Sequence, residues 1–255
     1  MNRIMTYETL DYYAYSNDTE IQGEIKGIIV EFYGLYNQQK LNDYDGPLAE
    51  FLSDSIGDSY RNHAHDFAKD GIIYIVPFCN PWNWMNRHTV SYVDEIIDVM
   101  LKHYQISNPR IVYSGRSMGG YNSLVYSRMA KHSPIGCIAG FPVCDLPYHY
   151  YEREDLPRTL WSAFGYYDCT LEEALLTTSP LHHVTEMPKI PYIFYQGDAD
   201  MLVSKAHHSD KMVAALRENG FDVTYHVMSG CGHCEFSSED KLDEYFQNGK
   251  KFILG

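Results

Sequence analysis

Two short stretches carry residues arranged for chemistry. The first is Gly115-Arg116-Ser117-Met118-Gly119, followed by Gly120. It fits G-x-S-x-G, in which a sharp turn lifts a serine hydroxyl clear of its surroundings while glycines let the flanking elements close up. The second is Cys231-Gly232-His233-Cys234, which offers two chemistries at once. Its C-x-x-C spacing is that of a redox dithiol, and its central histidine could equally serve as a base. A serine is a weak nucleophile at its own pKa, so Ser117 requires a base and a carboxylate to orient that base. Asp200, in GDADMLV, and His233 follow Ser117 in the order Ser, Asp, His, each just after a strand-like run. Asp198 and Asp145 are rival acids that could instead be ordinary turn or capping aspartates.

Positioning these groups is the task of the elements around them. GIIVEFYG (27–34), GIIYIVPF (71–78), RIVYSG (110–115), PIGCIAGFPV (134–143), PYIFYQG (191–197) and DVTYHVMS (222–229) read as strands. Between them, Leu48, Phe51, Leu52, Ile56, Tyr60, Ala64 and Phe67 recur at helical spacing. So do Val90, Val93, Ile96, Ile97, Met100 and Leu101, and helices are also expected over 119–131, 204–218 and 238–253. This alternation predicts an α/β fold with a mostly parallel central sheet and helices on both faces. The first 25 residues read as extra antiparallel strands at one edge. Residues 144–188 break the alternation and read as a small helical cap inserted into one domain spanning 1–255. G-x-S-x-G therefore leaves a strand and opens a helix, the context that the nucleophile turn demands.

Acyl transfer also needs donors for the developing oxyanion. The Met118 N–H, at the start of a helix, is one candidate; the Leu35 N–H or the Tyr33 hydroxyl, in the loop after the first central strand, is the other. Trp82 and Trp84, in NPWNWMN, could wall a substrate pocket or simply pack their loop down. Tyr150 and Trp161, in the insertion, are expected to line the pocket from a cap. Glu152, Glu154 and Asp155 could hold a substrate ammonium, although YERED reads better as a solvated helix face.

Composition removes other classes. The formal net charge is −14 with no basic cluster, which disfavours nucleic acid and anionic membrane surfaces as partners. No run approaches the ~20 apolar residues of a membrane span, and the N-terminus lacks a signal-peptide core, so a cytoplasmic protein is expected. Six irregularly spaced cysteines do not form a disulfide framework. His63 and His65, two apart on a helix, point to different faces, so neither a metal nor another cofactor is expected.

Taken together, GRSMGG, GDADMLV and GCGH resemble the α/β-hydrolase superfamily, and most closely the catalytic domain of the prolyl-oligopeptidase family. The resemblance covers residues 26–255, and the separations of 83 residues from Ser117 to Asp200 and 33 from Asp200 to His233 fit it. It implies a Ser117–His233–Asp200 triad, and a tyrosine before a glycine as oxyanion donor, the position of Tyr33-Gly34. The chain carries no β-propeller, and Y-G-L stands where H-G-G or Y-G-G is usual. The expectation is therefore a serine carboxylesterase cleaving small acyl esters through an acyl-enzyme, with a homodimer compatible. A small serine aminopeptidase or dipeptidyl-peptidase-like enzyme acting on short peptides is the alternative. A thiol-disulfide oxidoreductase using Cys231 and Cys234 is a more remote one, because CGHC here follows the last strand instead of opening an early helix.

Overall fold

The computed structural model describes residues 4–35 and 58–255. Seven strands form one sheet in the order β1-β3-β2-β4-β5-β6-β7. They are β1 (Ala14–Ser16), β2 (Gly27–Phe32), β3 (Ile72–Pro77), β4 (Ile111–Arg116), β5 (Gly136–Gly140), β6 (Tyr192–Gly197) and β7 (Val223–Met228). Every pairing is parallel except that of β1 with β3. The predicted N-terminal edge is thus a single short strand, flanked by 3-10 turns at Tyr7–Tyr12 and Asp18–Glu20. This is the α/β-hydrolase fold.

Eight helices accompany the described strands: α1 (Asp58–Lys69), α2 (Arg87–His103), α3 (Met118–Met129), α4 (Leu146–His149), α5 (Leu156–Phe164), α6 (Leu171–Thr178), α7 (Ser209–Glu218) and α8 (Glu239–Leu254). Of the helix expected from Leu48, the part from Asp58 onward is seen; Leu48, Phe51, Leu52 and Ile56 lie outside the described residues. Period-two alternation assigns the sheet's faces. Ile28, Val30 and Phe32 of β2 join one core with α2 and α3, while Ile29 turns to the opposite core with α1 and α8. α7 packs on Cys137, Ala139 and Phe194 in a third cluster.

The stretch 144–188 carries α4, α5, α6 and a 3-10 segment at Pro180–Glu186. Leu156, Leu160, Ala163 and Phe164 bury one stripe of α5 in the same core as α2 and α3. The insertion therefore has no separate core of its own and is anchored to the main domain. Thr170 starts α6 with a reciprocal capping box to Glu173.

Candidate active site

β4 runs directly into α3, and the turn between them is possible only because two glycines yield space. A Cβ on Gly119 would lie 2.0 Å from the Phe32 carbonyl oxygen, and one on Gly115 would lie 2.3 Å from the Gly119 carbonyl oxygen. Helix and strands therefore meet backbone to backbone. At the apex Ser117 has φ 60° and ψ −125°, a conformation costing about 1–3 kcal/mol for a residue with a side chain. The Ser117 N–H donates to Gly140 at 2.8 Å, which helps to hold it there.

Loops after β6 and β7 bring the other two groups. His233 Nε2 lies 2.8 Å from Ser117 Oγ, and its Nδ1 lies 2.8 Å from Asp200 Oδ2. The Asp200 side chain is wholly buried, and donors besides His233 reach both of its carboxylate oxygens. Leu202 and Val203 N–H groups reach Oδ1 at 2.9 and 3.0 Å, and Gln196 Nε2 reaches Oδ2 at 2.9 Å. Burial opposes the charge of Asp200, but the His233 hydrogen bond and the backbone donors outweigh it and hold the carboxyl below its ordinary value. Burial likewise opposes a charged His233; the hydrogen bond to Asp200, followed by the neighbouring Cys234, overcomes it and pushes the imidazole up to about 9. The rival acids are employed elsewhere. Asp198 accepts the Gly230 N–H at 2.6 Å, and Asp145 caps α4 through the Tyr148 N–H at 3.1 Å.

The loop after β2 passes against the nucleophile: a Cβ on Gly34 would lie 3.8 Å from Ser117 Oγ. Tyr33, however, does not offer its hydroxyl to the reacting centre, because it donates to the Cys79 carbonyl at 2.6 Å. A phenol has one proton to donate, so this corrects the expectation for Tyr33. Met118 opens α3 directly after the nucleophile, and Leu35 is the next residue in the chain after Gly34.

A family model for the prolyl oligopeptidase family matches residues 83–254, which span the elbow, the acid loop and the base loop. The chain belongs to the prolyl oligopeptidase family. No curated protein matches the sequence. Among solved structures, a puromycin-hydrolysing peptidase of Mycobacterium tuberculosis is similar at 18% identity and a TM-score of 0.62, over 91% of this chain and 35% of that one. An acylaminoacyl peptidase of Pyrococcus horikoshii is similar at 14% identity and 0.62, over 91% of this chain and 37% of that one. The esterase Est2 of Thermogutta terrifontis is similar at 19% identity and 0.61, over 94% of this chain and 86% of that one. The chain thus spans about a third of the two peptidases and most of the esterase. Among the described residues no helix is long and apolar enough to cross a membrane.

Within this prolyl oligopeptidase domain the expected substrate-side residues divide. Trp84 is 1% exposed and donates its indole N–H to Thr159 Oγ1 at 3.0 Å, so it packs its loop and walls no pocket. Trp82 is half-buried, with the Arg158 guanidinium 5.1 Å from its ring centre. Tyr150 is half-buried against the α2–α3 core, while Trp161 is 54% exposed on the outer side of α5. Glu152 is no solvated residue. Its Oε2 accepts from His149 Nδ1 at 2.5 Å and His208 Nε2 at 2.9 Å, and its Oε1 accepts from the Ser204 N–H at 2.9 Å. Burial opposes its charge, but the two imidazoles hold its carboxyl well below the ordinary range.

His149, Glu152 and His208 are close enough to suggest a metal site. Their protonation argues otherwise. His208 Nδ1 accepts the Cys144 and Asp145 N–H groups, both at 3.1 Å, so its proton sits on Nε2 and fills the position that a metal would need. The trio ties the insertion to the loop after Asp200.

Sequence reasoning missed two further contributors. Arg116, at the variable position before Ser117, inserts among Tyr60, Phe236, Tyr245 and Phe246, with its guanidinium 5.0–6.0 Å from the ring centres, and donates to the Tyr60 hydroxyl. Phe236 lies three residues after His233, so this cage joins the elbow to the base loop. Gln196 was the other, and only its place one residue before the Gly197 turn marked it.

Proposed function

We propose that the protein is a serine carboxylesterase that cleaves small acyl esters through an acyl-enzyme intermediate. The observation that carries the reading is the unbroken line Asp200–His233–Ser117, with both contacts at 2.8 Å and a strained serine at its end. In the reactive form His233 is neutral. Ser117 Oγ attacks the ester carbonyl while Nε2 takes its proton; Asp200 holds Nδ1–H and so keeps Nε2 available. The same nitrogen returns the proton to the leaving alcohol, and water repeats the sequence on the acyl-enzyme. The Met118 and Leu35 N–H groups are our candidates for the oxyanion donors.

Esters are favoured over peptides with a free amino terminus by the fate of the carboxylates at 152–155. Two of the three carboxylates there are already engaged, Glu152 by three donors and Asp155 by Arg153 at 2.9 Å, while the third, Glu154, is exposed to solvent. The proposal includes a cytoplasmic setting, a small-molecule substrate covered by the 144–188 cap, and no metal or organic cofactor. Short p-nitrophenyl esters and aminoacyl naphthylamides, tested side by side with Ser117→Ala as control, decide it. Turnover of the esters and fluorophosphonate labelling, both lost in the variant, support the reading. Preference for the naphthylamides would move it to an aminopeptidase, and labelling that persists in Ser117→Ala would sink it.

A further inference from the structure

Asp200 is held by one side chain that the proposed mechanism does not use. Gln196, the penultimate residue of β6, is wholly buried. Its Nε2 donates to Asp200 Oδ2 at 2.9 Å, the same oxygen that His233 Nδ1 reaches at 2.8 Å. The amide cannot be turned around: Ser209 Oγ, also wholly buried, donates to Gln196 Oε1 at 2.8 Å, and a reversed amide would set Oε1 against the carboxylate.

We propose that Gln196 is a positioning residue of the Asp200–His233 pair, fixed in its orientation by Ser209 and moderating the pull of Asp200 on the His233 ring. The inference rests on the triad proposed above. It extends the hydrogen-bonded line to Ser209–Gln196–Asp200–His233–Ser117, running from the start of α7 to the elbow. Two effects follow from the geometry. The donor fills the second lone pair of Oδ2, so the carboxylate cannot rotate away from the imidazole. It also sets the positive end of an amide dipole beside the site where the imidazolium forms, which disfavours the charged ring.

On the base loop the Glu235 carboxylate accepts the Gly232 N–H at 2.7 Å. Cys234, on the same loop, adjoins the imidazole. Asp198, Glu152, Lys205 and Asp210 share a cavity wall with Asp200, and none of them donates to Oδ2. Asp198 accepts from Gly230, Glu152 is filled by its three donors, and Lys205 pairs with Asp210 at 2.7 Å. Substitution at 196 or 209 leaves all of these charges in place.

The test follows the protonation of the His233 ring by proton NMR across pH 5–11, the signal being assigned with His233→Ala. Wild type, Gln196→Leu and Ser209→Ala are compared, with thermal denaturation as a separate readout. Loss of the donor in Gln196→Leu should move the midpoint to higher pH by about one unit. Ser209→Ala, which frees the amide without removing it, should move it the same way by less. The acid limb of kcat/KM should shift in step, with KM unchanged. A purely structural glutamine would lower the melting temperature and leave the midpoint where it was, and that result overturns the inference. Should Gln196→Leu not fold, an unmoved midpoint in Ser209→Ala is decisive against it. The NMR readout needs no substrate, so the two proposals fail separately. A shifting midpoint without ester turnover counts only against the esterase, and Ser117-dependent turnover with a fixed midpoint counts only against Gln196.

Discussion

Asp200→Asn separates the charge of the acid from its shape. The Leu202 and Val203 N–H groups both donate to Oδ1, at 2.9 and 3.0 Å, so the asparagine carbonyl must take that place. The new NH2 group then occupies the Oδ2 position, where Gln196 Nε2 and His233 Nδ1 both already point as donors. The imidazole can relieve this clash by carrying its proton on Nε2 and accepting at Nδ1. That leaves an N–H facing Ser117 Oγ at 2.8 Å, the wrong tautomer to receive its proton. A histidine trapped this way costs about 10⁴-fold in kcat, or about 5 kcal/mol on the barrier. The leading support for a charged ring disappears as well, so the His233 titration should fall from about 9. Steady-state kinetics on p-nitrophenyl acetate and the NMR titration measure the two effects. A rate loss below tenfold, or a midpoint that stays near 9, would refute the orientation argument.

The raised imidazole sets a pH profile: the base must be neutral, so kcat/KM should drop about tenfold per pH unit as pH falls below about 9, and a flat profile between pH 7 and 9 would contradict it. Glu31, buried beside Tyr245 at 2.9 Å, is pushed up from 4.5 to about 7 by burial. The folded state holds this proton more tightly, so the residue's contribution is intact below about pH 4.5 and lost as pH rises through about 7, a total of about 3 kcal/mol. Glu31→Gln should shrink the stability difference between pH 5 and 9 in urea titrations, and an unchanged difference counts against the assignment. Gly119→Ala would drive a Cβ into the Phe32 carbonyl at 2.0 Å, between two pieces of backbone that cannot yield cheaply. A loss of about 3 kcal/mol, together with loss of fluorophosphonate labelling, is expected; near-normal melting would show that the elbow is looser than described.

The sheet was legible because its strands are short apolar runs and its helices carry clear stripes, signals that depend on local sequence. Ser117, Asp200 and His233 were legible because each sits at a turn that glycine and chain order mark. What escaped depends on partners far away in sequence. Trp84 could be a wall or a wedge until Thr159 was seen to receive its N–H. Tyr33 stands beside the nucleophile in sequence pattern, yet Cys79 takes its proton. Glu152, within a charged run, is drawn inward by two histidines, one of them 56 residues away. The helix expected from residue 204 begins only at Ser209, because the His207 and His208 N–H groups both fold back on the Ser204 carbonyl in a turn that precedes it. Periodicity cannot report such a turn.

The tetrapeptide at 231–234 has a last consequence, and it concerns main chain, not sulfur. The Cys231 carbonyl accepts the Ala199 N–H at 3.0 Å and rests against Gly197, while the Asp198 N–H reaches Met228 at 3.1 Å and the Asp198 carboxylate reaches Gly230. The loops bearing acid and base are stitched into one piece, whereas the serine arrives on β4, with β5 between it and β6. Under heat or denaturant this site should open like a clasp. Asp200 and His233 would swing away still paired, and the serine would fall silent before the charge pair is broken.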